Sequence, residues 1–257
     1  MKKALILATS AIVLTACGGG GGGDGSSGND ATAKVSAPAG LYAGKTDTNR
    51  DVKGIVRSNG DVWFVYSDLD SPLADGVEGI ITGNGTATNS GFTITAKDYQ
   101  FYYDSIVDAS ITSSYIAGQY INADIKESSG AQSAVLSYDS DFDATPSLAT
   151  LAGSYNGESM TMVGLSGTPT VVISADGSVN ASDSSGCIID GTAAVATDGN
   201  YYTVTLKTHD MSECDASYRG VTTKGIAYLN SNNGHLYIAT KNDAGTLGYA
   251  FTSYPTT

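Results

Sequence analysis

The chain has 257 residues, with 13 Lys and Arg against 26 Asp and Glu and a formal charge of −13. So few cations disfavour nucleic acid and anionic lipid headgroups as partners, because binding a polyanion needs clustered Lys and Arg. Glycine is abundant at 32 residues, 16 tyrosines outnumber 5 phenylalanines, and long runs of Ala, Leu, Glu and Lys are missing; this is an all-β composition.

At the start of the chain, Lys2 and Lys3 precede an apolar run from Ala4 to Val13, the charged and apolar regions of an export signal. The run is too short to span a bilayer. Leu14-Thr15-Ala16-Cys17 then resembles the lipobox of bacterial lipoproteins, with a small residue directly before the cysteine and leucine three places ahead of it. That resemblance implies a signal peptide over residues 1–16 and acyl chains, palmitate among them, on Cys17. The alternative is ordinary secretory cleavage, which leaves the cysteine unexplained. Two or three acyl chains anchor stably, since each buried methylene contributes about 0.8 kcal/mol. Gly18, where inner-membrane retention in enteric bacteria uses aspartate, implies the outer membrane; surface and periplasmic faces both stay open. Residues 17–38 begin with an unbroken glycine run and continue in small polar residues. They are predicted to form a flexible tether spanning roughly 25 Å. Without Lys2 and Lys3 the mature chain keeps 11 cations against 26 anions, a formal charge of −15.

Strand signals begin at Gly40-Leu41-Tyr42-Ala43-Gly44. Gly54 to Arg57 leads through Ser58-Asn59-Gly60-Asp61 into Val62-Trp63-Phe64-Val65-Tyr66, a predicted hairpin on an Asn-Gly turn. In its second strand both alternating sets are apolar, so one faces a core and the other is covered by another element. Further short β-rich runs follow as far as Tyr138. Asp139 to Pro146 breaks the pattern with charge and proline, and Ser147-Leu148-Ala149-Thr150-Leu151 reads as one helical turn. Gly153-Ser154-Tyr155-Asn156-Gly157 then repeats the GxYxG opening, and Asp176-Gly177 stands where Asn59-Gly60 stood. The reading is a diverged internal duplication: two small antiparallel β-barrel or sandwich modules, at 39–143 and 148–257. About 220 residues also suit one large β domain.

These features resemble a class of two-module proteobacterial lipoproteins that share the run Ser147 to Tyr155, a downstream turn like Asp176-Gly177, and the Cys187 and Cys214 pair. More loosely, the lipobox, tether and GxYxG opening are similar to the barrel lipoproteins that include factor H-binding and transferrin-binding proteins. No ligand-holding residue of those proteins has an identifiable counterpart here.

With Cys17 acylated, Cys187 and Cys214 remain in an oxidising compartment, where one intramolecular disulfide is expected to stabilise by roughly 3 to 4 kcal/mol. A metal or redox pair lacks CxxC spacing and nearby histidines. His209 and His235 read as exposed loop residues, and Gly164-Leu165-Ser166-Gly167 as a turn. Asp47 to Asp51 and Asp139 to Asp143 space oxygens as a calcium loop does, without its glycine and glutamate, and read as solvated acidic turns. No metal or cofactor is expected. Trp63, Tyr99, Phe101, Tyr102, Tyr103 and Tyr115 form a candidate exposed aromatic binding patch, with the core and its rim as the alternative. The expected function is a non-catalytic outer-membrane or cell-surface lipoprotein presenting β modules to a protein, glycan or envelope partner. The alternative is an envelope enzyme or enzyme inhibitor acting on cell-wall or extracellular polymers, which converging carboxylates in a pocket would favour.

Overall fold

Each GxYxG segment opens a strand on which a barrel closes. The computed structural model describes residues 35–73, 76–89 and 91–254; the expected signal peptide, Cys17 and most of the tether lie outside them. The described residues from Val35 onward form one compact unit. In its first half β1 (Gly40–Thr46), β2 (Asp51–Val56), β3 (Asp61–Tyr66), β4 (Gly79–Thr88), β5 (Gly91–Gln100), β6 (Ser105–Ile116), β7 (Tyr120–Glu127) and β8 (Gly130–Asp139) pair in sequence, and β8 returns to β1. A 3-10 turn (Ser140–Asp143) and α1 (Leu148–Leu151) lead on. The Ser147 hydroxyl caps α1 by accepting from the Thr150 N–H at 3.1 Å.

The second half contains β9 (Gly153–Thr161), β10 (Gly164–Gly167), β11 (Thr170–Ile173), β12 (Ser178–Ser182), β13 (Ile188–Val195), β14 (Tyr202–Thr208), β15 (Thr222–Leu229), β16 (Leu236–Asn242) and β17 (Gly248–Ser253). β17 pairs with β9, so β9 and β11 to β17 close a second antiparallel barrel of eight strands. The segment read as a turn at 164–167 is instead the short strand β10, hydrogen-bonded to β9. The chain is therefore all-β and built of two small barrels.

The two barrels match strand for strand. Tyr42 and Tyr155 both point inward from the first strand, and each hydroxyl donates to the carbonyl four residues back, Pro38 at 3.0 Å and Leu151 at 2.7 Å. At Gly44 and Gly157 a Cβ would lie 2.0 Å from a carbonyl of the closing strand, so only glycine lets the barrel shut there. The turn after the second strand also repeats: Gly60 (φ 93°) and Gly177 (φ 87°) take left-handed backbone, and their carbonyls accept from Gly85 and Ala193 two strands on. Asn59 keeps negative φ, so this is a type I turn closed by a bulge glycine, not the two-residue hairpin that Asn-Gly most often signals.

Alternation sorts side chains between the two faces of each barrel. On β3, Val62, Phe64 and Tyr66 fill the first interior, while Trp63 and Val65 join Leu41, Ile55 and Ile80 against Ile226, Tyr228, Tyr237 and Ala239 of the second barrel. This second barrel is the cover that the doubly apolar strand required. Lys53 threads the same interface, 4.8 Å from the Tyr228 ring centroid and 5.8 Å from that of Tyr237, with the Asp139 carboxylate at 3.7 Å. Burial lowers its ammonium pKa, against the opposing pull of Asp139 and Asp141. Arg57 donates to the Tyr201 hydroxyl at 2.7 Å and Ser58 donates twice to Asp198. The barrels thus share one core in addition to their own interiors. On the strands away from this seam many outward positions are polar: Thr93, Thr95 and Lys97 on β5 and Asn122, Asp124 and Lys126 on β7 are all exposed. A membrane-spanning barrel has the reverse pattern.

Candidate functional site

The first barrel is hollow. A cavity of about 540 Å³ occupies its interior and opens at the end where β3, β5 and β7 finish. Inward-facing Val52, Phe64, Ile81, Ile94, Ile111 and Leu136 form apolar walls, and Tyr42, Phe92 and Tyr115 close the far end. The hollow follows from register. Ala96 pairs with Ala109 and Ala123 with Ala134, which puts four alanines on four adjacent strands, Ala123 and Ala134 lining the cavity itself. Counting from the matched glycines, the second barrel has Leu206, Thr223, Ile238 and Phe251 at those positions, and its interior is more nearly filled. Removing side-chain volume from adjacent inward positions leaves space that the rigid barrel cannot collapse to fill.

Polar groups ring the mouth. Asp98, only 3% exposed, accepts from the Tyr66 hydroxyl at 2.8 Å and from the Gln100 amide at 2.8 Å. Arg50 pairs with Glu78 and also donates to the Ser67 carbonyl at 3.2 Å. Glu127 accepts from Ser129 through Oε2 at 3.2 Å, while its Oε1 is buried without a partner. Burial pushes the Asp98 carboxyl up to about 7; Glu127 adds to the rise, and Gln100 and Tyr66 oppose it. Like charge from the Glu127 carboxylate facing it disfavours ionisation of Asp98. Burial raises the Glu78 carboxyl as well, against the opposing effect of Arg50, and raises the Tyr66 phenol, with Asp98 contributing.

The matching mouth of the second barrel is lined by a longer loop. In the first barrel the β5–β6 connection is four residues, 101–104; between β14 and β15 it grows to 209–221. Tyr218 anchors this loop, donating to the Gly248 carbonyl at 2.6 Å and accepting from the Met162 N–H at 2.9 Å. Cys214 within it is bonded to Cys187 just before β13, with Cα atoms 4.6 Å apart. The expected disulfide is present and ties the loop to the barrel. A smaller hollow of about 330 Å³ remains inside this barrel, lined by inward-facing Thr161, Ala181, Thr208 and Tyr249 and by Tyr218 of the loop.

The aromatic residues singled out in the sequence do not form one exposed patch. Trp63, Tyr99 and Phe101 are buried between the barrels, where the Tyr99 hydroxyl donates to Gly245 at 3.2 Å. Tyr115 is half-buried at the closed end, edge-on to Phe92. Tyr102 (75% exposed) and Tyr103 (63%) remain at the surface, and Tyr103 with Leu69 makes the apolar lip of the open mouth. His235 is a second correction, being buried and stacked on Tyr237 rather than exposed; its imidazole pKa is lowered by burial and by nearby Lys53. His209 sits 2.5 Å from Asp190 at the surface. The two acidic stretches spend their carboxylates on protein: Asp51 on Lys45, Asp141 on Tyr228 and Ser231, and Asp143 on Tyr138. Sequence reasoning missed the ring at the mouth, although two signals were present. Phe92/Ile94/Ala96/Asp98 and Ile121/Ala123/Ile125/Glu127 are inward-facing apolar sets that each end on a carboxylate.

By fold and site this is a pair of fused antiparallel barrels, one a wide apolar cup with a polar mouth and the other with a smaller, loop-lined hollow. Barrels of eight strands are wide enough to hold one small molecule. No family model and no curated protein matches the chain. Among solved structures it is similar to one from Bacteroides fragilis, provisionally assigned there to the outer membrane, at 14% identity. The match covers 84% of this chain and 95% of the other, with a TM-score of 0.25, and carries no argument.

Proposed function

We propose that this protein is a non-catalytic binding lipoprotein of the bacterial outer membrane, anchored through Cys17, whose first barrel holds a small, largely apolar molecule. The observation that carries the reading is the cup: some 540 Å³ of apolar interior opening to solvent, within the range of small-molecule sites. The lipobox residues Leu14 to Cys17 support the anchor, and the exposed Tyr102 and Tyr103 beside the mouth are candidate contacts for a ligand or for an envelope protein or glycan that delivers it. Titration with Nile red, a neutral apolar dye, should give saturable fluorescence that Ala134→Phe abolishes while the β circular-dichroism spectrum persists. Dye binding unchanged by Ala134→Phe would move the ligand elsewhere. Metabolic labelling with an alkyne fatty acid should mark the protein and not Cys17→Ser; equal labelling refutes the anchor.

One observation favours a second reading, an envelope hydrolase: Asp98, Glu78 and Glu127 converge at the mouth of a cavity, and paired carboxyls can divide the roles of general acid and base. Release of product from cell-wall polymer that disappears in Asp98→Asn and in Glu127→Gln would establish it. Turnover unchanged in both variants would dismiss it.

A further inference from the structure

Resting on the cup as a binding site, we propose that its ligand is an amphiphile with a protonated amine at one end, the apolar body inside the barrel and the ammonium held by Asp98 and Glu127 at the mouth. The hydrogen-bond inventory of the cavity leads there. Its one cation, Arg50, is spent on Glu78 and the Ser67 carbonyl. Its donors Tyr66 and Gln100 are spent on Asp98, and Ser129 on Glu127 Oε2. The Gln132 amide and the Tyr103 hydroxyl line the cavity as well, but Glu127 Oε1 is an acceptor that no protein donor meets, buried on the cavity wall. A buried acceptor left unmatched is costly, more so when charged, and a ligand that brings N–H donors removes that cost.

Charge makes the choice narrower. Arg50, Glu78, Asp98 and Glu127 are the acidic and basic residues lining the cavity, so one cation faces three carboxyls. An ammonium brings both the missing donors and the missing charge, and charge-assisted bonds are roughly twice as strong as neutral ones. A hydroxyl head brings a donor without charge. A carboxylate or phosphate head brings neither and would meet like charge in a desolvated site. The lip of Leu69 and Tyr103 suits the apolar body that follows the head into the barrel.

The groups facing Asp98 are Tyr66 of β3, Gln100 of β5 and Glu127 of β7, with Arg50 and Glu78 beyond Tyr66 and Asp68 beside Glu78. With the Asp98 carboxyl raised to about 7, the site is more anionic at pH 8 than at pH 5.5. Amine affinity therefore falls as pH is lowered across that interval.

The test uses residues 18–257 exported behind an ordinary cleavable signal, so that no lipid or detergent competes, and calorimetric titration with octylamine, octanol and octanoate. At pH 8 the amine should bind about tenfold or more tightly than either of the others. The ratio should shrink at pH 5.5, and Glu127→Gln should remove most of it at pH 8. Octanol or octanoate binding as tightly as octylamine at pH 8 would overturn the head-group assignment and leave the cup standing. If none of the three binds and Nile red fluorescence is the same with and without Ala134→Phe, the cup reading itself fails, and this inference with it.

Discussion

The two barrels share strand order, the inward tyrosine that bonds four residues back, the closing glycine and the bulge turn, yet one is a wide cup and the other a plug, more nearly filled and with a disulfide-tied loop at its mouth. Two local changes make the difference. Four alanines on β5 to β8 correspond to Leu206, Thr223, Ile238 and Phe251, and a four-residue connection at the mouth corresponds to a loop fastened by Cys187 and Cys214. The comparison teaches that the strand scaffold is indifferent to its contents: backbone pairing and the GxYxG closure hold the cylinder, while interior volume is set by side chains that the pairing does not constrain. The plug has a second use, since its outer face covers the apolar outer face of β3 that the cup would otherwise expose.

The largest expected effect comes from making the second barrel resemble the first. Phe251→Ala, at a fully buried position, should cost about 3–5 kcal/mol in denaturant unfolding, whereas Ala134→Phe enters space already empty and should cost far less. Equal costs for the two would show that the interiors do not differ in packing. Next, replacing both Cys187 and Cys214 by alanine releases the loop over the plug. With the cysteines 27 residues apart, loop-closure entropy predicts a loss of about 3.5 kcal/mol, or a melting temperature lower by about 10 °C. Because the barrels share a core, calorimetry should show one transition moving as a whole. Two transitions, only one of them shifted, would mean that each barrel folds on its own.

The smallest effect distinguishes the mouths by pH. Asp98 has a folded pKa raised to about 7 against an unfolded value of about 3.9, so between those values the folded state holds a proton that the unfolded state has released. Stability therefore declines as pH rises through that window, and Asp98→Asn should remove the decline, gaining on the order of 2 kcal/mol at pH 8. The matching position of the second barrel is Thr208, and Thr208→Val should leave the pH profile unchanged. A wild-type profile that is flat from pH 4.5 to 8 would contradict the burial of an ionisable Asp98.

What the sequence determined by itself was local. Period-two alternation, Gly-x-Tyr and the Asx-Gly turns act within one strand or one hairpin, so the strands, the repeat and the turn positions were legible. So was the disulfide, because only two cysteines were left to pair. Alternation also showed that β3 has two apolar faces, but not which one lines a barrel and which meets a partner. For that reason Trp63, Tyr99 and Phe101 read as a surface patch when they are an internal seam, and His235 read as exposed. The cup, the seam and the mouth were decided by tertiary structure alone. A cavity is a sum over side chains from strands far apart in the chain: Val52 and Ala134 are unremarkable separately and line one hollow only when barrel closure sets them around one axis. The same closure brings Arg50, Tyr66, Glu78, Asp98 and Glu127 to one rim, where desolvation and mutual repulsion give them properties that none has alone.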